Sequence, residues 1–259
     1  MNLHHQLEAL LFVIVLGCAG PAFAADERVV AAAFSAARPA DAPPAGWKPL
    51  LAAENAPRTR YTLVDDAGIT VLRAESKAAA SGLSKPLRVN PLEFPWLRWR
   101  WKIDNLIASA DLRNKEGDDF PARLYVMFDY PLEKLSFADR TKLRLARALF
   151  DPDLPAATLC YVWDNRTPPE TIAPSAYSDR VRLIVVASGA ARVGRWVEFE
   201  RDVAADFRAA FGEDAPPIQA IAIATDTDNT GAFATARFGD ISFYKQRLIK
   251  NKTDGATVQ

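Results

Sequence analysis

Residues 94–104 (FPWLRWRWKID) alternate without a break, Leu97, Trp99, Trp101 and Ile103 against Trp96, Arg98, Arg100 and Lys102. Side chains of an extended strand point to opposite faces with a period of two, so this stretch is a strand with one apolar and one cationic face. Trp99 and Trp101 share the apolar side, and large aromatics so placed belong in a core. A strand of this kind needs a second layer over its apolar face.

The same pattern recurs. Residues 120–130 set Leu124, Val126 and Phe128 against Arg123, Tyr125 and Met127. Residues 61–65 and 69–74 flank Asp66-Ala67-Gly68, a turn sequence, and read as a hairpin. Residues 158–164, 181–188 and 195–200 are further strands, and 76–84 reads as a loop. Two helices interrupt them. One runs over 136–150, opened by Ser136 with Asp139 at capping-box spacing; its Arg140, Arg144 and Arg147 fall on one side, most simply a solvated face. The other spans 202–211, capped by Asp202 and ended by Gly212. Residues 218–244 (IQAIAIATDTDNTGAFATARFGDISFY) read as a closing hairpin. About nine or ten short strands with two inserted helices predict a mainly β, antiparallel sandwich rather than βαβ units.

Residues 1–24 have the form of a signal peptide: a short apolar core at 9–19 and an A-x-A cleavage site at Ala22-Phe23-Ala24. The n-region carries His4 and His5 but no Lys or Arg. The expected location is periplasmic or secreted, with no transmembrane segment, since a spanning helix needs about 20 apolar residues. The minority alternative is a lipoprotein acylated at Cys18. Residues 25–46 are Ala/Pro-rich and expected to form a flexible leader, 47–246 a single sandwich domain, and 247–259 a polar tail.

The chain has 32 basic and 32 acidic residues; removing 1–24 takes away only Glu8, leaving 31 acids. That balance gives no footprint for nucleic acid. The two histidines go with the signal, and Cys160 is then the one cysteine left. An intramolecular disulfide, Ser-His or Cys-His catalysis and His-based metal sites are thereby excluded from the processed chain. Cys160, between Leu159 and Tyr161, reads as a buried strand thiol.

Carboxylates are what remains for metal or acid–base chemistry. Asp226, Asp228 and Asn229, followed by Thr230-Gly231, form the richest set of oxygen ligands. Calcium takes six to eight oxygens, often from closely spaced Asp and Asn, and Asp240 is expected to join Asp226 and Asp228 across the hairpin. The competing reading is Asx turns closed by Gly231. Adjacent carboxylates at Asp118 and Asp119 repel and need a cation or an arginine; Arg123 can supply it, as can Arg98 or Arg100 from the preceding strand, in a ligand site, in a structural ion-pair network or at a solvated loop edge. Trp96 and Trp163 are the aromatic candidates for an exposed stacking surface, Trp163 because Asp164-Asn165-Arg166 follows it.

LRWRWKID, GDDFPARLYVMF, LCYVWDN, RLIVVASG, ERDVAADFRAAFG and IAIATDTDNTGAFATARFGDISFY occur in this order over residues 47–244. Together they resemble the DUF3047 family of exported bacterial proteins. The resemblance implies a jelly-roll-like sandwich similar to carbohydrate-binding modules, with helix 136–150 as an elaboration, and implies no activity. The sequence reading is thus a binding module rather than an enzyme, for a glycan or another polar envelope polymer, with calcium as the one cofactor its oxygen ligands would take. The alternatives are a carboxylate-dependent polysaccharide hydrolase or lyase using Asp118, Asp119, Asp226 and Asp228, and a structural or assembly protein of the envelope.

Overall fold

Two seven-stranded sheets stack face to face, and the apolar faces dictated by the alternation meet between them. The structure, a computed structural model, describes residues 27–40, 43–51, 55–149 and 154–248. Residues 1–24, the expected signal peptide with Cys18, and the residues beyond 248 lie outside the described residues.

In chain order the strands are β1 (Arg28–Ala32), β2 (Lys48–Leu51), β3 (Arg60–Asp66), β4 (Ile69–Lys77), β5 (Ala80–Val89), β6 (Trp96–Ile103) and β7 (Arg123–Phe128). They continue as β8 (Ala157–Asp164), β9 (Ile172–Ser175), β10 (Ser178–Ser188), β11 (Val197–Asp202), β12 (Ile218–Asp226), β13 (Phe233–Phe238) and β14 (Ile241–Tyr244). The helices are α1 (Phe137–Leu149) and α2 (Val203–Phe211). One sheet runs β1-β14-β6-β13-β4-β3, with β11 on the other edge of β6; the second runs β2-β5-β12-β7-β8-β10-β9. Pairings are antiparallel throughout except β8 with β10.

β6 behaves as its sequence requires. Leu97, Trp99, Trp101 and Ile103 are buried, while their neighbours face outward. Trp99 contacts Tyr161 of the opposite sheet with ring centroids 5.1 Å apart, and stacks on Phe199 at the same separation. The Trp99–Tyr161 contact ties the two layers together, the Trp99–Phe199 stack braces β6 against its own neighbour β11, and each adds about 0.5–1.5 kcal/mol beyond burial. The β3–β4 hairpin forms, with Gly68 at φ +83. Asp202 caps α2 by accepting from the Ala205 N–H, and Gly212 ends it at φ +77.

Several expectations are corrected. The closing segment is not a hairpin: β12 lies in the second sheet between β5 and β7, whereas β13 and β14 lie in the first. Residues 227–232 therefore cross between the layers. β13 and β14 continue one another along β6, with a one-residue shift in register at Gly239-Asp240. The expected loop at 76–84 is largely β5, whose Gly82 lies so near the Ile223 carbonyl that a Cβ would sit 2.8 Å from it. The expected leader holds β1, which pairs with β14, and Phe34, whose ring packs on Trp47 at 5.6 Å. Ala31 and Ala32 are small enough to be buried there, so Ala-rich composition marks a tight edge rather than a free segment. On α1, Arg140 donates to the Leu132 carbonyl and Arg147 to the Leu154 carbonyl. Those arginines tie the helix to its flanking chain. No helix among the described residues is long and apolar enough to cross a membrane.

Trp101 is fully buried, so Trp101→Ala should lower the unfolding free energy by about 3–5 kcal/mol. Leu145, 60% exposed on α1, is the control: Leu145→Ser should stay within about 0.5 kcal/mol. Urea unfolding followed by fluorescence measures both.

Candidate functional site

The outer face of the second sheet is where the acidic residues meet, because residues 104–122 fold back over it. Leu112 and Phe120 from that segment cover Cys160, Val162, Leu183 and Val185. β8 is consequently buried along its whole length, by the sandwich core on one side and this cover on the other. The cover returns tightly at Gly117, whose carbonyl accepts from the N–H groups of Asp111 and Asp119, both at 2.8 Å. A Cβ at Gly117 would lie 2.6 Å from the Asp111 nitrogen, so only glycine permits the approach. Asp118 and Asp119 follow at once and are buried.

Arg123 opens β7 beneath this cover. It pairs across the strands with Val162 and Ala224, which puts its side chain on the same outer face as Asp226, two residues beyond Ala224. Its guanidinium forks onto Asp226: Nε donates to Oδ1 at 2.8 Å and Nη2 meets Oδ2 at 2.6 Å. Nη2 also donates to the Asp118 carbonyl, and Nη1 reaches Asp118 Oδ1 at 3.5 Å. Phe120 supplies a backbone N–H to Asp226 Oδ1 at 3.1 Å and its ring lies under the guanidinium, 4.4 Å away.

Asp119 organises the interlayer crossing. Its Oδ1 accepts the Asn229 N–H at 3.3 Å; its Oδ2 accepts the Thr230 N–H at 2.7 Å and the Thr230 hydroxyl at 2.6 Å. Asn229 in turn donates from Nδ2 to the Tyr177 hydroxyl at 2.8 Å. Thr227, buried behind, meets Ser76 Oγ at 2.8 Å and donates its N–H to the Ala79 carbonyl. Asp228 is exposed at the rim. One oxygen from each of Asp119, Asp226 and Asp228 lies within 4.8 Å of the others. That span equals two calcium–oxygen bonds of about 2.4 Å. For Asp226, Arg123 already does much of what a cation would; a carboxylate nevertheless offers about four lone-pair directions, so hydrogen-bonded Asp119 and Asp226 retain ligating capacity.

Burial pushes the Asp226 carboxyl up to about 6, with Arg123 opposing and Asp118 adding to the rise. Burial likewise raises Asp118, against Arg123. Burial is the largest single influence on Arg123 and opposes its charge, but Asp226, Tyr125, Asp118 and Cys160 together outweigh it and hold the guanidinium well above its ordinary value. Cys160 is pushed up to about 12 by burial, and so is an inert thiol.

Asp118, Asp119, Arg123, Asp226, Asp228 and Asn229 are thus brought together. Two candidates are not. Trp163 is fully buried and gives its indole N–H to the Gly189 carbonyl at 3.2 Å, because it shares the inward face of β8 with Tyr161. Asp240 lies at the β13–β14 shift and binds Ser35, through the backbone N–H at 2.9 Å and the hydroxyl at 2.5 Å; it takes no part in the cluster. Tyr177, 58% exposed with the Lys115 ammonium 5.2 Å from its ring, belongs to the site and was not among the sequence candidates. A lone tyrosine in a turn gives no periodic signal.

Fold and site together define a β-sandwich protein with an arginine-centred carboxylate cluster on one outer face. The chain belongs to the DUF3047 family, a family of unknown function, whose model matches residues 45–242. Among solved structures it is similar to the glycoside hydrolase domain of Endo-D from Streptococcus pneumoniae R6, at 11% identity and a TM-score of 0.32 over 78% of this chain. The match spans 22% of that structure's chain, and a likeness at that score bears no weight for fold or function. A search of curated proteins finds no match.

The pH dependence follows from Asp226. Its folded value, about 6, lies above the ordinary 3.8, so the native state binds its proton more tightly than the unfolded chain does. Its contribution therefore falls as pH rises from about 4 to about 6, by roughly 2–3 kcal/mol. Chemical unfolding across this range should show that component flattened in Asp226→Asn. A second variant, Gly117→Ala, should cost about 1–3 kcal/mol and disperse the Asn229 and Thr230 amide resonances, which depend on Asp119.

Proposed function

We propose that this chain is an exported, non-catalytic binding module that holds a hydroxyl-rich ligand, a glycan or another envelope polymer, at the Asp118–Asp119–Asp226–Asp228 cluster, with calcium as the bridging ion. The observation that carries the reading is the convergence of four carboxylates, distant in sequence, around one buried guanidinium beside Asn229 and the exposed ring of Tyr177. Carboxylates accept hydrogen bonds from sugar hydroxyls, and an aromatic ring offers an apolar face to a pyranose. The fork on Arg123 and the amides on Asp119 fix these groups before any ligand arrives, which limits the ordering cost of binding. Export is supported by the form of residues 1–24.

Calcium binding should be visible by isothermal titration and as a rise in melting temperature, about 2.7 kcal/mol of stabilisation at a hundredfold excess over Kd. Affinity should increase as pH rises through about 6, since Asp226 must lose its proton. Asp228→Asn, at the exposed rim, should weaken calcium binding about tenfold or more while the fold persists. Retention on a polysaccharide panel should be lost in EDTA. Equal retention with and without calcium, and no shift in melting, would remove calcium from the account.

A second reading, a carboxylate-dependent hydrolase or lyase, draws on one observation: the Asp226 carboxyl raised to about 6 beside Asp228. A carboxyl protonated near neutral pH can serve as a general acid, with a second carboxylate as base or nucleophile. Arg123 and the Phe120 amide already donate to Asp226, which opposes a proton there. Release of reducing ends or unsaturated products from the retained polysaccharide, abolished by Asp228→Asn, would establish this reading over the binding module.

A further inference from the structure

The outward face of β6 lies on the first sheet, away from the carboxylate cluster. Here a groove of about 520 Å³ runs along β6 and β14, lined by Arg98, Arg100, Glu198, Asp240, Ser242 and Tyr244 among others. Pockets of roughly 300–1,000 Å³ are the size that takes small ligands. Arg98 is paired with Glu200 at 3.4 Å and lies over the Tyr244 ring. Arg100 differs. Its guanidinium rests on the Trp196 indole, 4.6 Å from the ring centroid, and no carboxylate among the described residues is within salt-bridge distance of it. Trp196 is itself pinned, donating its indole N–H to Asp66 Oδ2 at 2.7 Å.

Gly239 fixes the other side of Arg100. A Cβ there would sit 2.6 Å from Arg100 Cγ and 2.7 Å from Nε. The register shift at Gly239-Asp240 thus opens a slot that the arginine stem fills. A half-buried guanidinium held by an indole and a glycine slot, with its hydrogen-bonding fork uncommitted, is prepared for a planar oxyanion. Glu198 and Asp240 stand in the same groove. They accept hydrogen bonds from hydroxyl groups and repel a dianion, so a carboxylate is favoured over a phosphate.

We infer that this groove binds a hydroxylated carboxylate, a sugar acid, with its carboxylate on Arg100 and a hydroxyl on Glu198. The site is separate from the carboxylate cluster on the second sheet and does not depend on the function proposed for it. The test is isothermal titration of the full chain with galacturonate, its trimer and the neutral galactose trimer. An acidic ligand should bind at least about tenfold more tightly than the neutral trimer, and Arg100→Gln should remove that difference while Asp228→Asn leaves it intact. Tighter binding of the trimer than of the monomer assigns the groove to a polymer; equal binding assigns it to the free acid. Should Arg100→Gln fail to fold, the wild-type chain still decides: the Trp196 indole N–H resonance should shift on titration with galacturonate. Equal affinity for acidic and neutral trimers, loss of binding in Asp228→Asn, or an unmoved Trp196 resonance overturns the assignment.

Discussion

The two-pronged ion pair between Arg123 and Asp226 is the interaction on which the outer face of the second sheet depends. A guanidinium on a sheet face is tolerable beneath a covering loop only if its donors are met, and Asp226, Asp118 and the Asp118 carbonyl meet them. Removing one partner of such a pair leaves a buried charge uncompensated, which costs more than the pair contributes. The covering loop, the end of β12 and the start of β7 are therefore held as one piece. Asp119 extends that piece to residues 229 and 230 by accepting their amides. What the site presents to solvent, Asp228 and Tyr177, is thus mounted on a rigid frame.

The fold explains why the frame lies here. β12 ends in the second sheet and the chain must cross to β13 in the first, so residues 227–232 form a bridge over the sandwich edge. The cover over β8 ends beside that bridge. Acidic residues remote in sequence, at 118–119 and 226–228, become neighbours because both segments leave or enter the sheet at the same corner. On the opposite outer face the same chain, continuing through β13 and β14, makes the slot that holds Arg100. Both features come from one excursion between the layers.

Local alternation made much of this legible. It assigned Trp99 and Trp101 to the core and Arg98, Arg100 and Lys102 to the outer face, while capping chemistry, Asp202 and the left-handed Gly212, marked both ends of α2. Of Arg98, Arg100 and Arg123, the arginines open as partners of Asp118 and Asp119, Arg123 meets Asp118, whereas Asp119 is satisfied by the amides of residues 229 and 230. Alternation cannot say which sheet a strand joins, so β12 and β13 looked like partners when their hydrogen bonds go to different layers. Nor does it say whether both faces of a strand are covered: Trp163 could be taken as exposed because the loop and core burying β8 are distant in sequence. Asp240 looked like a ligand by its place in the expected hairpin, and once that hairpin is a crossover its partner is Ser35. β1 was hidden by composition, since Ala31 and Ala32 suit a close-packed edge as well as a free segment.

A double-mutant cycle on Arg123→Met and Asp226→Asn, with unfolding free energies from urea denaturation at pH 7.5, tests the central claim most directly. Each single variant should destabilise strongly, and the double variant much less than their sum, giving a coupling energy of about 2 kcal/mol or more. Additivity within about 0.5 kcal/mol would contradict it and leave the carboxylates as independent surface groups.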